Sequence, residues 1–257
     1  MKLGIDISEH NGIIDFEKVK SQIDFVFIRA TFGKKNVDKC FERNIKECIR
    51  LNIPFGVYVY SYALNLSDAI AESTFLLNKI EPYKYYISLP IAIDMEDADG
   101  YKKKNGMPTN EMLCNICKCE CDMFENRGYE SMIYASASWF NTILNSRILD
   151  GYKKWIAWWN DKAQVNKEKY LFHQFSSTGK VNGINGNVDM NYYFNSEVLN
   201  EKEILKKDLK NYPEYARKTF EKLIDSGFLK GIDGKLELSD SMIRTFVILD
   251  RMGILKF

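Results

Sequence analysis

The sequence predicts an α/β barrel followed by a small, mainly helical module. Three observations predict it. Short apolar runs rich in β-branched and aromatic residues alternate with helix-period segments through roughly the first 150 residues. That alternation then gives way to three strand-like runs with little helix between them. A charged, helix-forming stretch leads from there into two short amphipathic segments.

The first strand is LGIDIS (3–8), and FEKVKSQI follows as a short helix. DFVFIRATF (24–32) is the second strand. Val37 to Leu51 reads as a helix with Cys40, Phe41, Ile45, Cys48 and Ile49 on one face. PFGVYVYSY (54–62) is the third strand, and Ser67 is the expected cap of the helix DAIAESTFLLNKI. LPIAIDME (89–96) is the fourth strand. TNEMLCNICKCECDMFENRG reads as a helix capped by Thr109 or Asn110 and stopped by Gly128. SMIYAS (131–136) is the fifth strand. Near-continuous apolar strands separated by helices are the pattern of a parallel sheet covered by helices, and five such units favour closure into a barrel. WIAWW (155–159), LFHQFSS (171–177) and VDMNYYF (188–194) close it, with the Gly/Asn-rich NGINGNVD as a hairpin connection.

A boundary is expected after residue 195, separating a domain of residues 1–195 from a linker and module of residues 196–257. NSEVLNEKEILKKDLKN is a linker or a first helix. YPEYARKTFEKLIDSG is a helix stopped by Gly227, FLKGIDGKLELS a connector turning at Asp233-Gly234, and DSMIRTFVILDRMG a helix capped by Ser239 and stopped by Gly253. The expected core joins Phe220, Leu223, Ile224, Leu236, Leu238, Ile243, Phe246, Val247 and Leu249. So small a module gains from docking or self-association.

A hydrophobic content of 46% with 14% aromatic residues supports a full core, and a net charge of +1 with scattered Lys and Arg gives no footprint for nucleic acid. No apolar stretch approaches the roughly 18 residues of a membrane span. Met1-Lys2 runs directly into the first strand, so the expectation is synthesis in the cytoplasm without a signal peptide. Four of the six cysteines crowd into CNICKCEC. Cys114, Cys117 and Cys121 recur at i, i+3, i+7, which is the buried face of a helix rather than a metal or disulfide site. No glycine-rich phosphate loop stands at a strand-to-helix junction, and G-x-S-x-G is absent, so neither a nucleotide cofactor nor a serine nucleophile is expected.

Acids stand at several predicted strand ends: Asp6 in GIDIS, Asp94 and Glu96 in AIDMED, and Asp189 in NVDMN. In parallel barrels the functional face lies at the C-terminal ends of the strands. Asp94 and Glu96 are two apart, so on a strand they share a side, above the apolar base LPIAI. Burial and mutual repulsion raise carboxyl pKa values, and glycoside hydrolysis needs such a pair, one protonated and one ionised. A Mg²⁺ or Mn²⁺ site built from Asp6, Asp94, Glu96 and Asp189 is the competing reading. Aromatic rings suit sugar stacking, and Tyr60, Tyr62 and Trp158 are placed near the acids. His10 is positioned to line the cleft, and His173, within a strand, reads as structural.

Taken in order, GIDISEHNG, FVFIRATFG, PFGVYVYSYA, IAIDMED, WIAWW and HQFSSTGKVNGINGNVDMNYYF resemble glycoside hydrolase family 25, the Chalaropsis-type lysozymes, over roughly residues 3 to 194. The resemblance implies a flattened TIM-like barrel of five β/α units and three closing strands. It implies cleavage of the β-1,4 bond between N-acetylmuramic acid and N-acetylglucosamine, without a cofactor or metal. Glu96 would be the general acid. Asp94 would be the second carboxylate, stabilising a positively charged intermediate or positioning the substrate acetamido group. Asp6 and Asp189 would support the pair. Arg29, expected among the substrate contacts, stands where the family more often has Lys, and Trp159 where it commonly has Tyr. The tail, GFLKGIDGKLELS with MIRTFVILDRMG, resembles the short wall-binding modules of clostridial phage endolysins. The implied partners are bacterial peptidoglycan and a secondary wall ligand, and the implied setting is phage lysis after release through a holin. A catalytically silent peptidoglycan-binding protein and a bacterial autolysin are the alternatives.

Overall fold

A computed structural model describes residues 1–84, 86–194, 205–206, 208–229, 231 and 235–255. The chain forms two compact units, Met1–Asn195 and Ser196–Phe257.

The first unit contains nine strands among its described residues: β1 (Lys2–Ile7), β2 (Phe25–Phe32), β3 (Asn36–Val37), β4 (Phe55–Tyr60), β5 (Ile91–Asp94), β6 (Ser131–Ser136), β7 (Lys153–Ala157), β8 (Phe172–Gly179) and β9 (Val188–Tyr193). Its helices are α1 (Phe16–Val19), α2 (Phe41–Arg50), α3 (Leu66–Ile80), α4 (Tyr101–Lys104), α5 (Asn110–Glu125) and α6 (Ala137–Thr142). Eight strands close in the order β1-β9-β8-β7-β6-β5-β4-β2, with β1 pairing β2; β3 hangs on the edge of β2. Among the eight barrel strands the pairings β1–β2, β2–β4, β4–β5, β5–β6, β6–β7 and β7–β8 are parallel, whereas β9 runs antiparallel to both β8 and β1, and β3 runs antiparallel to β2. This is the α/β barrel of five strand–helix units and three closing strands that the sequence predicts.

Strand residues alternate between the two faces of a barrel wall, and this chain assigns different chemistry to each face. Ile5, Val26, Ile28, Val57, Ile91, Ile93 and Ile133 face outward and form one aliphatic core with Ile45, Cys48, Leu76, Leu77, Cys117 and Cys121 of the helices. The barrel interior is aromatic. Phe27 stacks on Trp155 at 4.6 Å, Phe172 stacks on Tyr193 at 4.4 Å, and Phe25 meets Phe172 edge-on. Gly56 makes room for this filling: a Cβ there would lie 2.4 Å from the Phe27 ring and 2.8 Å from the Pro90 carbonyl. Rings fill the interior up to the C-terminal ends of the parallel strands, where the inward phase turns polar.

Some boundaries differ from the sequence reading. The helix expected from Val37 begins at Phe41. Asn36 and Val37 pair with β2 instead, and the Asp38 carboxylate accepts from the Cys40 amide, which ends the ribbon. Asn65 rather than Ser67 caps α3, its side chain accepting from the Asp68 amide. Thr109 caps α5, which buries Cys114, Cys117 and Cys121. All six cysteines are free thiols.

The second unit holds α7 (Glu214–Asp225) and α8 (Asp240–Arg251). Ser239 caps α8, and Gly227 and Gly253 take left-handed backbone angles just beyond the two helices. Phe220, Leu223, Ile224, Leu236, Ile243 and Val247 form its core with Leu205, Leu209 and Ala216; Leu238 and Phe246 pack against it. The expected turn at Asp233-Gly234 and most of the 195–210 linker lie outside the described residues.

Candidate active site

The acids gather at one end of the barrel because of strand direction. Asp6 is one residue from the C-terminal end of β1, and Asp94 is the last residue of β5. Asp189 lies near the start of β9, but β9 is antiparallel, so it pairs directly with Asp6. Tyr60, the last residue of β4, pairs with Asp94, which in turn pairs with Tyr134 of β6. Glu96 stands two residues beyond the end of β5, past the buried Met95. The pair therefore joins a fully enclosed carboxyl on the strand to a less enclosed one just off it.

Asp6 is held by two amides. One of its carboxylate oxygens accepts from Asn191 Nδ2 at 2.7 Å and from Gln174 Nε2 at 2.9 Å. Each amide is oriented in turn by ring donors. Trp155 Nε1 donates to the Asn191 carbonyl at 2.8 Å. Tyr134 Oη and Trp159 Nε1 both donate to the Gln174 carbonyl at 2.9 Å. Burial raises the Asp6 carboxyl to about 6, against the opposing pull of the Asn191 and Gln174 hydrogen bonds. Asp189 is raised to about 8, first by burial and then by the charges of Asp6 and Glu96.

Asp94 and Glu96 are both pushed upward. For Asp94 the cause is burial, then the charge of Glu96; Lys102 and Arg29 pull the other way. For Glu96 it is again burial, opposed by Lys102 and reinforced by Asp6, Asp99 and Asp97. Asp94 Oδ1 is buried and has no hydrogen-bond partner among the described residues. A buried oxygen without a partner is costly. The titration of such a pair belongs to the pair: across a range of pH it keeps one proton and one charge. Glu96 is the more accessible member of the pair.

The predicted aromatic and basic positions divide. Tyr60 and Tyr62 form one wall, their rings 5.1 Å apart, with both hydroxyls on Asp99 at 3.4 and 2.6 Å; Tyr101 packs 4.5 Å from Tyr62. Trp158 is 44% exposed just past β7, and its carbonyl meets the His173 ring at 2.7 Å. Trp155 points into the barrel, so the alternation puts Trp159, not Trp158, in phase with the acids. It is the Trp159 indole that joins the network through Gln174. Arg29 bonds Asp38 at 2.8 Å and approaches Glu9 and His10 at 3.4 Å, tying together the segments after β1 and β3 while lending positive charge to Asp94. His173 is buried within β8, as its structural reading requires.

Sequence reasoning missed Gln174, Asn191, Asp99 and Lys102. Asn191 was open to discovery, since it lies two residues from Asp189 and therefore shares its face. Lys102 gave no signal in a run of three lysines. Among the described residues, no group of three or more His, Cys, Asp or Glu is arranged to hold a metal ion.

A family profile described as Glycosyl hydrolases family 25 matches residues 5–184. Lysozyme M1 of Streptomyces globisporus is 28% identical over 197 residues, spanning 74% of this chain and 67% of that protein. The modular autolysin LytC of Streptococcus pneumoniae, solved with a synthetic peptidoglycan ligand, superposes with a TM-score of 0.68 at 31% identity, covering 75% of this chain and 46% of LytC. The present chain thus spans about half of that autolysin. The CTP1L endolysin shares the fold at 19% identity with a TM-score of 0.64, covering 99% of this chain and 100% of its own.

Proposed function

The chain belongs to glycosyl hydrolases family 25, a glycoside hydrolase of the lysozyme type, and from that premise we propose that it is an N-acetylmuramidase, cutting the β-1,4 bond between N-acetylmuramic acid and N-acetylglucosamine in bacterial peptidoglycan. The observation that carries this reading is the placement of Asp94 and Glu96 at the mouth of an enclosed barrel, both raised by burial and backed by Asp6 and Asp189. Glu96 donates its proton to the glycosidic oxygen as the bond breaks. Asp94 is the anionic partner against the positive charge that builds on the sugar ring. The Asp6 charge raises both carboxyls and so helps keep the donor protonated, while Asp189, itself raised to about 8, holds its own proton near neutral pH. The Tyr60–Tyr62 wall and Trp159 present rings and hydrogen-bonding groups to the glycan.

The setting we propose is lysis of a host by a phage endolysin, made in the cytoplasm and released through a holin, with the C-terminal unit binding a secondary wall ligand. The tail's resemblance to endolysin modules supports it, as does the full-length likeness in fold to an endolysin. The likeness to an autolysin favours a bacterial cell-wall enzyme as the second reading.

The mechanism is tested with Glu96→Gln, which keeps the side chain's size and removes its proton. We expect wall hydrolysis to fall by about a thousandfold or more while wall binding persists. Unchanged turnover would reject Glu96 as the acid.

A further inference from the structure

Lys102 is fully buried on α4, close to the acid pair. A buried ammonium is expensive unless its protons are taken up. Here its Nζ donates to the carbonyl oxygen of Ser61 and, at 2.8 Å, to that of Glu96. It also lies 5.9 Å from the centre of the Tyr60 ring. The ammonium thus rests on the backbone of two segments rather than on a carboxylate. One is the residue after β4. The other is the backbone of the proton donor itself.

Everything around Lys102 fixes these two segments. The Ser61 amide donates to the Asp94 carbonyl at 3.1 Å. The Asp97 carboxylate accepts from the amides of Lys102 and Lys103 at 2.6 and 3.1 Å, which sets the start of α4. Behind Lys102 stand two more buried acids, Glu72 of α3 and Glu120 of α5. Glu72 accepts from the Tyr62 amide at 3.0 Å, and the Ser61 hydroxyl lies 3.4 Å from Glu120. Each of these acids keeps one carboxylate oxygen without a hydrogen-bond partner among the described residues. The lysine charge accordingly sits between the Asp94–Glu96 pair on one side and the Glu72–Glu120 pair on the other.

We propose that Lys102 is the positioning residue of the acid pair: its buried ammonium ties the backbone of Glu96 to the end of β4 and supplies the fixed positive charge against which Asp94 and Glu96 ionise. This rests on the reading of those two carboxyls as the acid pair. The other charged groups facing them are Asp6 on β1, Arg29 on β2, Asp189 on β9, and Asp97 and Asp99 beyond β5. Arg29 is the other cation among them, and it is already engaged by Asp38 and Glu9. Among the described residues, Lys102 alone combines a positive charge with a hydrogen bond to the donor's own backbone.

Two substitutions separate the tether from the charge. Lys102→Met removes both, while Lys102→Gln keeps an amide that donates to a carbonyl. With soluble glycan chains as substrate, we expect kcat of Lys102→Met to fall by about a hundredfold with KM within about twofold, as for a displaced catalytic group. Loss of the positive charge makes both carboxyls hold their protons more tightly. In both variants, therefore, the acid and alkaline limbs of the kcat–pH profile move to higher pH, by about one unit. A merely structural lysine lowers Tm without moving the limbs, and unmoved limbs in a folded Lys102→Gln would overturn the proposal. So would failure of both variants to fold, which would assign Lys102 to the scaffold. If Glu96→Gln stays active, the acid-pair reading fails instead, whatever the lysine variants show.

Discussion

Asp189 sits beside Asp6 on the inner face of the barrel, where burial and the charges of Asp6 and Glu96 raise its carboxyl from 3.8 to about 8. Between those two values the folded chain binds more proton at this site than the unfolded chain. Stability contributed by the protonated carboxyl is therefore present in full below pH 3.8 and lost as pH rises toward 8. Asn cannot ionise. Asp189→Asn should leave Tm unchanged near pH 4 and raise it by about 3 °C or more at pH 8. Thermal unfolding at the two pH values checks this; an equal gain at both would mean that the carboxyl's charge is not the burden. The four acids were legible as residues because strand ends and a spacing of two suffice to place them. Their partners were less so. The Asn191–Asp6–Gln174 arrangement joins residues more than 160 positions apart in sequence. The Lys102 contact to Ser61 spans 41 positions and depends on how α4 lies across the strand ends, which no local pattern encodes.

At the scale of elements, the short apolar run rich in β-branched and aromatic residues was the strongest signal, and it located every barrel strand. It fails where a strand stops. WIAWW reads as one strand of five residues, but β7 ends at Ala157, and the aromatic pair beyond it is placed by the loop. Following the phase of Trp155 through Ala157 leads to Trp159, whose indole bonds Gln174. LPIAIDME shortens in the same way: β5 ends at Asp94, and Glu96 is held by the backbone contact to Lys102. Helix starts were misjudged where a side chain competes with the helix for an amide. Asp38 claims the Cys40 amide before α2, and Asn65 claims the Asp68 amide two residues ahead of the expected cap. The cysteine helix reads correctly because i, i+3, i+7 spacing is a packing pattern whatever the apolar residue. Burial drives the Cys48 and Cys117 thiols upward, which leaves them inert core residues.

The whole molecule joins two units, each with its own core. Every acid of the candidate site lies in the first, before residue 195. Residues 1–195 alone should hydrolyse purified walls while binding intact target cells more weakly than the full chain. A cell pull-down compares the two; equal binding would remove the targeting role of the C-terminal unit. The central claim is that this chain cuts after N-acetylmuramic acid, and the most direct test is the identity of the reducing ends it creates. Purified peptidoglycan is digested, reduced with borohydride and hydrolysed, and the sugar alcohols are identified. Muramitol, absent from a Glu96→Gln digest, is the predicted product. Glucosaminitol in its place, or no new reducing ends at all, would contradict the account.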